Sequence, residues 1–123
     1  MKPEEALQRA VVDLLRLYEA RGLLGYAHCP NGGWRNASEA GRFRAMGVRA
    51  GVPDLLVWAA GGASFGIELK AGAGRLSPAQ TVWHGLLRAL GHRVHVCRSV
   101  DEVEAVLRAE GVPGIGKLME AAE

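Results

Sequence analysis

The chain has 123 residues, 49% apolar and 23% charged, with a net charge of +2. That describes one globular domain, too short for a second core and too evenly charged for a disordered or polycationic nucleic-acid-coating protein. Two cysteines make no disulfide framework, and no apolar run approaches the roughly 20 residues of a membrane helix, so a cytoplasmic protein with reduced thiols and no membrane partner is expected.

The first element is a helix. Pro3 suits its first turn, and Leu7, Ala10, Val11, Leu14, Leu15 and Tyr18 recur at helical spacing until Gly22 ends the run. A short strand from about Gly25 to Cys29 follows. The next stretch, PNGGWRNASEAGRFRAMGVRAG, is polar, glycine-punctuated and basic, with Arg35, Arg42, Arg44 and Arg49 against the single acid Glu39. It reads as a long connection with one helical turn after Asn36 or Ser38, and its length and charge suit a phosphate-contacting surface or, equally, a solvated loop.

Two apolar strands come next, in GVPDLLVWAAGGASFGIELK, joined by a glycine-rich turn. After AGAGR, Ser77, Pro78 and Gln80 form a capping-box pattern that starts a helix carrying Val82, Trp83, Leu86, Leu87 and Leu90. Residues 93–98 alternate as a strand. Ser99 and Glu102 repeat the capping pattern before a last helix with Val103, Val106 and Leu107. The order is α-β-β-β-α-β with a closing helix, an α/β domain whose mixed sheet of about four strands is flanked by helices. The folded domain is expected over residues 1–110, with 111–123 as a tail whose apolar stretch, Val112 to Met119, offers surface to a second copy.

The hairpin carries charges that a buried strand pair rarely holds without partners. Glu68 and Lys70 share a strand face, roughly 7 Å apart. Asp54 opens the preceding strand, and its relation to them depends on register. A two-residue Gly61-Gly62 turn, the default for so short a loop, sets Asp54 opposite Leu69 with Glu68 on the other face. An odd loop or a bulge sets Asp54 directly opposite Glu68. In that register two carboxylates meet beside a lysine, and a hard divalent cation resolves their repulsion. Mg²⁺ takes such carboxylates together with a backbone carbonyl, for which Leu69 is well placed, and Lys70 can then act on an attacking water or steady the transition state.

These residues carry a resemblance. Gly51-Val52-Pro53-Asp54, Ile67-Glu68-Leu69-Lys70, Gly74, Leu76-Ser77 and Gln80 resemble the virus-type replication-repair nuclease (VRR-NUC) domain of the PD-(D/E)XK nuclease superfamily. Pro30-Asn31-Gly32 and Glu4-x-x-Leu7-Gln8 are similar as well, so the likeness runs from about Glu4 to Leu107. It implies a restriction-endonuclease-like core and a Mg²⁺- or Mn²⁺-dependent DNA endonuclease of bacterial or phage origin, acting in the host cytoplasm. Short members imply a homodimer selective for branched DNA, like a Holliday junction resolvase. Asp54 and Glu68 would hold the metal with the Leu69 carbonyl, Lys70 would serve the attacking water, and Gln80 and Glu4 would support the site.

Glu4 and Glu5 compete for the accessory acid. On a helical wheel Glu4 lies about 50° from the centre of the apolar face and Glu5 about 150°, so Glu4 is the one expected to reach the site. Asn31, Arg35, Arg42, Arg44, Arg49, Arg75 and His84 are the expected DNA contacts. His92, His95 and Cys97 do not share one strand face, and no Cys-x-x-Cys pair exists, which argues against zinc. The alternative from another class is a non-catalytic DNA-binding or assembly module that retains the fold. An RNA-directed nuclease has the same metal chemistry.

Overall fold

The computed structural model describes residues 1–30 and 36–116. Eight elements follow one another: α1 (Pro3–Ala20), β1 (Leu24–His28), α2 (Ala37–Ala45), β2 (Leu55–Ala59), β3 (Ser64–Leu69), α3 (Pro78–Ala89), β4 (Arg93–Cys97) and α4 (Val100–Ala109). The sheet order is β1-β2-β3-β4. The first two pairings are antiparallel and β3–β4 is parallel, with α3 as the crossover. The mixed α/β architecture is the expected one, with one addition. The helical turn expected after Asn36 is a nine-residue helix, α2, whose Asn36 side chain accepts the Glu39 N–H.

Alternation sorts the two faces of the sheet. Leu55, Val57, Ala59, Phe65, Ile67 and Leu69 point to one side and form the core with Val11, Leu15 and Tyr18 of α1 and Val103 and Leu107 of α4. Val112 and Ile115 are buried in the same core, and the Gly116 N–H donates to the Tyr18 hydroxyl. The segment from Val112 therefore packs, at least through Ile115, within its own chain rather than standing free for a second copy. Met119 lies outside the described residues. The other face of the sheet carries Leu56, Trp58, Gly66 and Glu68; α3 reaches it through Gln80 and His84, and Pro53 lies against Gly66.

The register is the outcome that matters. Leu55 faces Ile67 and Trp58 faces Ser64, and the Ala59 N–H donates to the Ala63 carbonyl at 2.7 Å. Three residues, Ala60 to Gly62, make the connection, so the default two-residue turn is incorrect. Gly61 and Gly62 both take positive φ, 95° and 97°, which lets Ala60 join the loop. Continued by one residue, this register sets Asp54 opposite Glu68. Among the described residues no helix is long and apolar enough to cross a membrane.

Candidate active site

The ladder between β2 and β3 ends where Pro53 has no N–H to offer. Ala59–Ala63 is a hydrogen-bonded pair, so alternation makes Leu55–Ile67 one and would make Pro53–Leu69 the next. Proline cannot supply a donor to the Leu69 carbonyl there. The Leu69 N–H is taken instead by Asp54 Oδ2 at 2.7 Å. The Asp54 carbonyl in turn accepts the Cys29 N–H and His28 Nδ1–H, each at 2.8 Å. The chain start of β2 is thus tied to the end of β1 and to β3, which fixes the carboxylate.

Glu68 is fully buried (0% exposed). Gln80 Nε2 donates to one of its oxygens and His84 Nε2 meets the other, both at 3.2 Å. Gln80 serves two purposes. Its Oε1 accepts the Ser77 N–H at 2.8 Å while the Ser77 hydroxyl accepts the Gln80 N–H, completing the expected capping box. With the oxygen committed to Ser77, the amide nitrogen must face Glu68. Lys70, 9% exposed, comes within 3.8 Å of Glu4 Oε1. Glu5 pairs with Arg9 at 3.1 Å instead. A cleft of about 510 Å³ opens here, lined by Glu4, Glu5, Gln8, Arg9, His28, Asp54, Lys70 and Gln80.

Burial pushes the Glu68 carboxyl up to about 9, with a hydrogen bond donated to Asp54 and the charge of Asp54 adding to the rise and Lys70 opposing it. A raised Glu68 pKa means that this carboxyl keeps its proton at neutral pH, as repulsion between like charges this close favours. This is the observation that tests a divalent cation against the residues present. Two carboxyls that meet across the hairpin, beside a carbonyl lacking a ladder donor, match the hard-oxygen ligand set of Mg²⁺ or Mn²⁺. Among the described residues no three His, Cys, Asp or Glu side chains group to hold a metal. A cation that takes two carboxylates, a carbonyl and waters needs no such group.

The expected phosphate contacts divide. Arg42, Arg44, Arg49 and Arg75 are exposed. The Arg42 guanidinium lies 5.4 Å from the Phe43 ring centroid, and that of Arg49 lies 4.9 Å from the Trp83 ring. Asn31 and Arg35 lie outside the described residues. His84 does not fit a phosphate contact: it is 1% exposed, and its ring faces Glu68. Burial, with Arg88 nearby, lowers its pKa, which favours the neutral ring.

Three participants escaped the sequence reading. His84 as a partner of Glu68 was signalled by its spacing of four from Gln80, which puts both on one helix face. His28 lines the cleft from the end of β1. Arg98 donates to the carbonyls of Gly72 and Gly74, both at 2.8 Å, pinning the loop that carries Arg75; nothing in the sequence pattern marked it.

An α/β domain with a four-stranded mixed sheet flanked by helices and an acidic hairpin site at its end is thereby defined. The chain belongs to the VRR-NUC family, nuclease-type domains, with the VRR-NUC domain matched over residues 4–101. A solved structure described as a VRR_NUC domain protein shares the fold, with a TM-score of 0.66 over 94% of this chain and 92% of its own at 24% identity. No curated protein matches.

Proposed function

We propose that this chain is a divalent-metal-dependent DNA endonuclease, selective for branched or four-way junctions and active as a homodimer in the cytoplasm. The observation that carries the reading is the pair Asp54 and Glu68, opposed across the hairpin, with Asp54 and Lys70 lining one cleft and Glu68 buried behind it. Asp54, Glu68 and the Leu69 carbonyl would hold Mg²⁺ or Mn²⁺, which when bound polarises the phosphodiester and acidifies water. Lys70 orients the attacking water and stabilises the charge that develops on the phosphorus oxygens. Glu4 holds the Lys70 ammonium over the cleft, and Gln80 fixes Glu68. Arg42, Arg44, Arg49 and Arg75 contact the phosphate backbone, with Asn31 and Arg35 in the adjoining segment.

The homodimer has two supports. A four-way junction has two symmetric cleavage points, which a two-fold assembly can serve with one site each. The chain also exposes an apolar stripe, Val82 and Leu86 of α3 with Leu90 at its C-cap, and, on the sheet, Trp58 (51% exposed).

The test is cleavage of a labelled four-way junction, a plain duplex and single strands of DNA and RNA, with Mg²⁺, Mn²⁺ or EDTA. Paired symmetrical cuts in the junction, lost with EDTA and in Lys70→Ala, are expected. Equal cutting of every substrate would remove junction selectivity, and tight binding without cutting under either metal would establish the non-catalytic module. Single nicks by a protein that sediments as a monomer would remove the dimer. Binding supplies a second expectation. Arg42→Gln or Arg44→Gln should weaken affinity for all DNA alike and reduce the slope of log K against log salt by about one, read by fluorescence anisotropy. A change confined to one DNA sequence would contradict a backbone contact.

A further inference from the structure

His84 is a buried polar side chain that the proposed chemistry does not use. Its Nε2 meets Glu68 Oε1 at 3.2 Å, with side chains 2% and 0% exposed. Its Nδ1 is buried with no hydrogen-bond partner among the described residues. An apolar residue would fill this position between α3 and the sheet without stranding a polar atom, so packing alone does not account for an imidazole.

The stranded atom also fixes the tautomer. A proton on Nδ1 would leave a buried N–H unpaired, which native structures avoid more strongly than an unpaired acceptor. The proton therefore sits on Nε2 and is donated to Glu68. Gln80, held by the Ser77 capping box, donates to the other oxygen, and the two donors come from successive turns of one helix face. Both Glu68 oxygens are thus held from the α3 side, and the carboxylate plane is fixed relative to Asp54.

We propose that His84 is a positioning residue that orients Glu68, through Nε2–H, into a preformed seat for the divalent cation. This deepens the nuclease reading and rests on Glu68 as a metal ligand. Donors behind a metal-binding carboxylate change metal affinity by about 10- to 100-fold when removed. The variants that decide the matter are His84→Leu, which keeps bulk and removes the donor, and His84→Gln, whose side-chain nitrogen reaches where Nε2 stood.

Mn²⁺ titration of the DNA-free protein by calorimetry is the readout, with thermal melting alongside it. His84→Leu is expected to bind Mn²⁺ at least about tenfold more weakly while melting within a few degrees of the parent, and His84→Gln to recover most of the affinity. Cleavage by His84→Leu should return toward the parent rate at saturating metal. Unchanged Mn²⁺ affinity in a folded His84→Leu overturns the proposal. If His84→Leu does not fold, His84→Gln decides alone: near-parental affinity supports the donor role, and a tenfold loss in the folded variant overturns it. Failure of the underlying reading looks different. There the parent itself binds no Mn²⁺, or Glu68→Gln binds it as the parent does.

Discussion

Glu68→Gln is expected to abolish junction cleavage, by about 10³-fold or more, and to flatten the dependence of metal-free stability on pH. The loss of activity follows from removing one of the two carboxylates proposed to hold the metal. The effect on stability follows from linkage. The Glu68 carboxyl is raised from 4.5 to about 9 in the folded chain, by burial first and then by Asp54. Between those limits the folded state holds a proton that the unfolded chain has released, so stability is greatest near the lower limit and falls as pH rises toward 9. Across that window the loss is on the order of a few kcal/mol.

The amide cannot ionise, so the variant escapes this decline. It carries a different cost, since its NH₂ must meet either the Gln80 or the His84 donor where an oxygen stood. The variant should therefore be the less stable protein at pH 5 and the more stable at pH 9, by chemical denaturation in EDTA. Millimolar Mg²⁺ should flatten the parent's decline as well, because binding displaces the Glu68 proton. A difference between parent and variant that stays constant from pH 5 to pH 9 would sink the account of a protonated Glu68.

The parts of this site that were legible in the sequence are those written by local chemistry. Ser77, Pro78 and Gln80 specify a helix start with short-range hydrogen bonds alone, and the structure makes each of them. Helix α2 was underread because none of its residues is buried, so it has no apolar period to detect and rests on its Asn36 cap, with Glu39 in its first turn and Arg42 and Arg44 in its last. The hairpin register was not legible from pattern, because one more loop residue depends on two glycines adopting positive φ. Helix α3 misled in the opposite way. Its strongest apolar stripe, Val82, Leu86 and Leu90, faces outward, while Gln80 and His84 face the sheet to reach Glu68. Periodicity identifies a helix face but not which partner covers it. Here the inward face is set by a buried carboxyl that needs donors, a requirement visible only once Glu68 is known to be on that side of the sheet.

Gly51→Ala is expected to be among the most damaging single-methyl additions in the chain, although Gly51 touches none of the charged groups. Its φ is +90°, a conformation that L side chains rarely adopt. A Cβ there would lie 2.4 Å from the Ala79 carbonyl oxygen, 2.5 Å from its carbon and 2.9 Å from the Gln80 nitrogen. All three are backbone atoms of the first turn of α3, so no side-chain rotation relieves the clash and the helix itself must shift. Strain and overpacking together should cost about 3 kcal/mol or more, or roughly 10 °C in Tm. Gly47→Ala separates the two contributions. Gly47 has nearly the same φ, +94°, but nothing within 4 Å of an added Cβ, so that variant should lose only about 1 kcal/mol from strain. Melting of the two variants beside the parent decides between them, and equal losses would mean that the approach to α3 is not tight. The folded fraction of Gly51→Ala should also bind Mn²⁺ less well, because the turn it displaces carries Gln80, and His84 follows on the next. Gly51 thus connects the start of the Pro53-Asp54 strand to the helix that holds Glu68, and a glycine is required because any Cβ would force the two halves of the site apart.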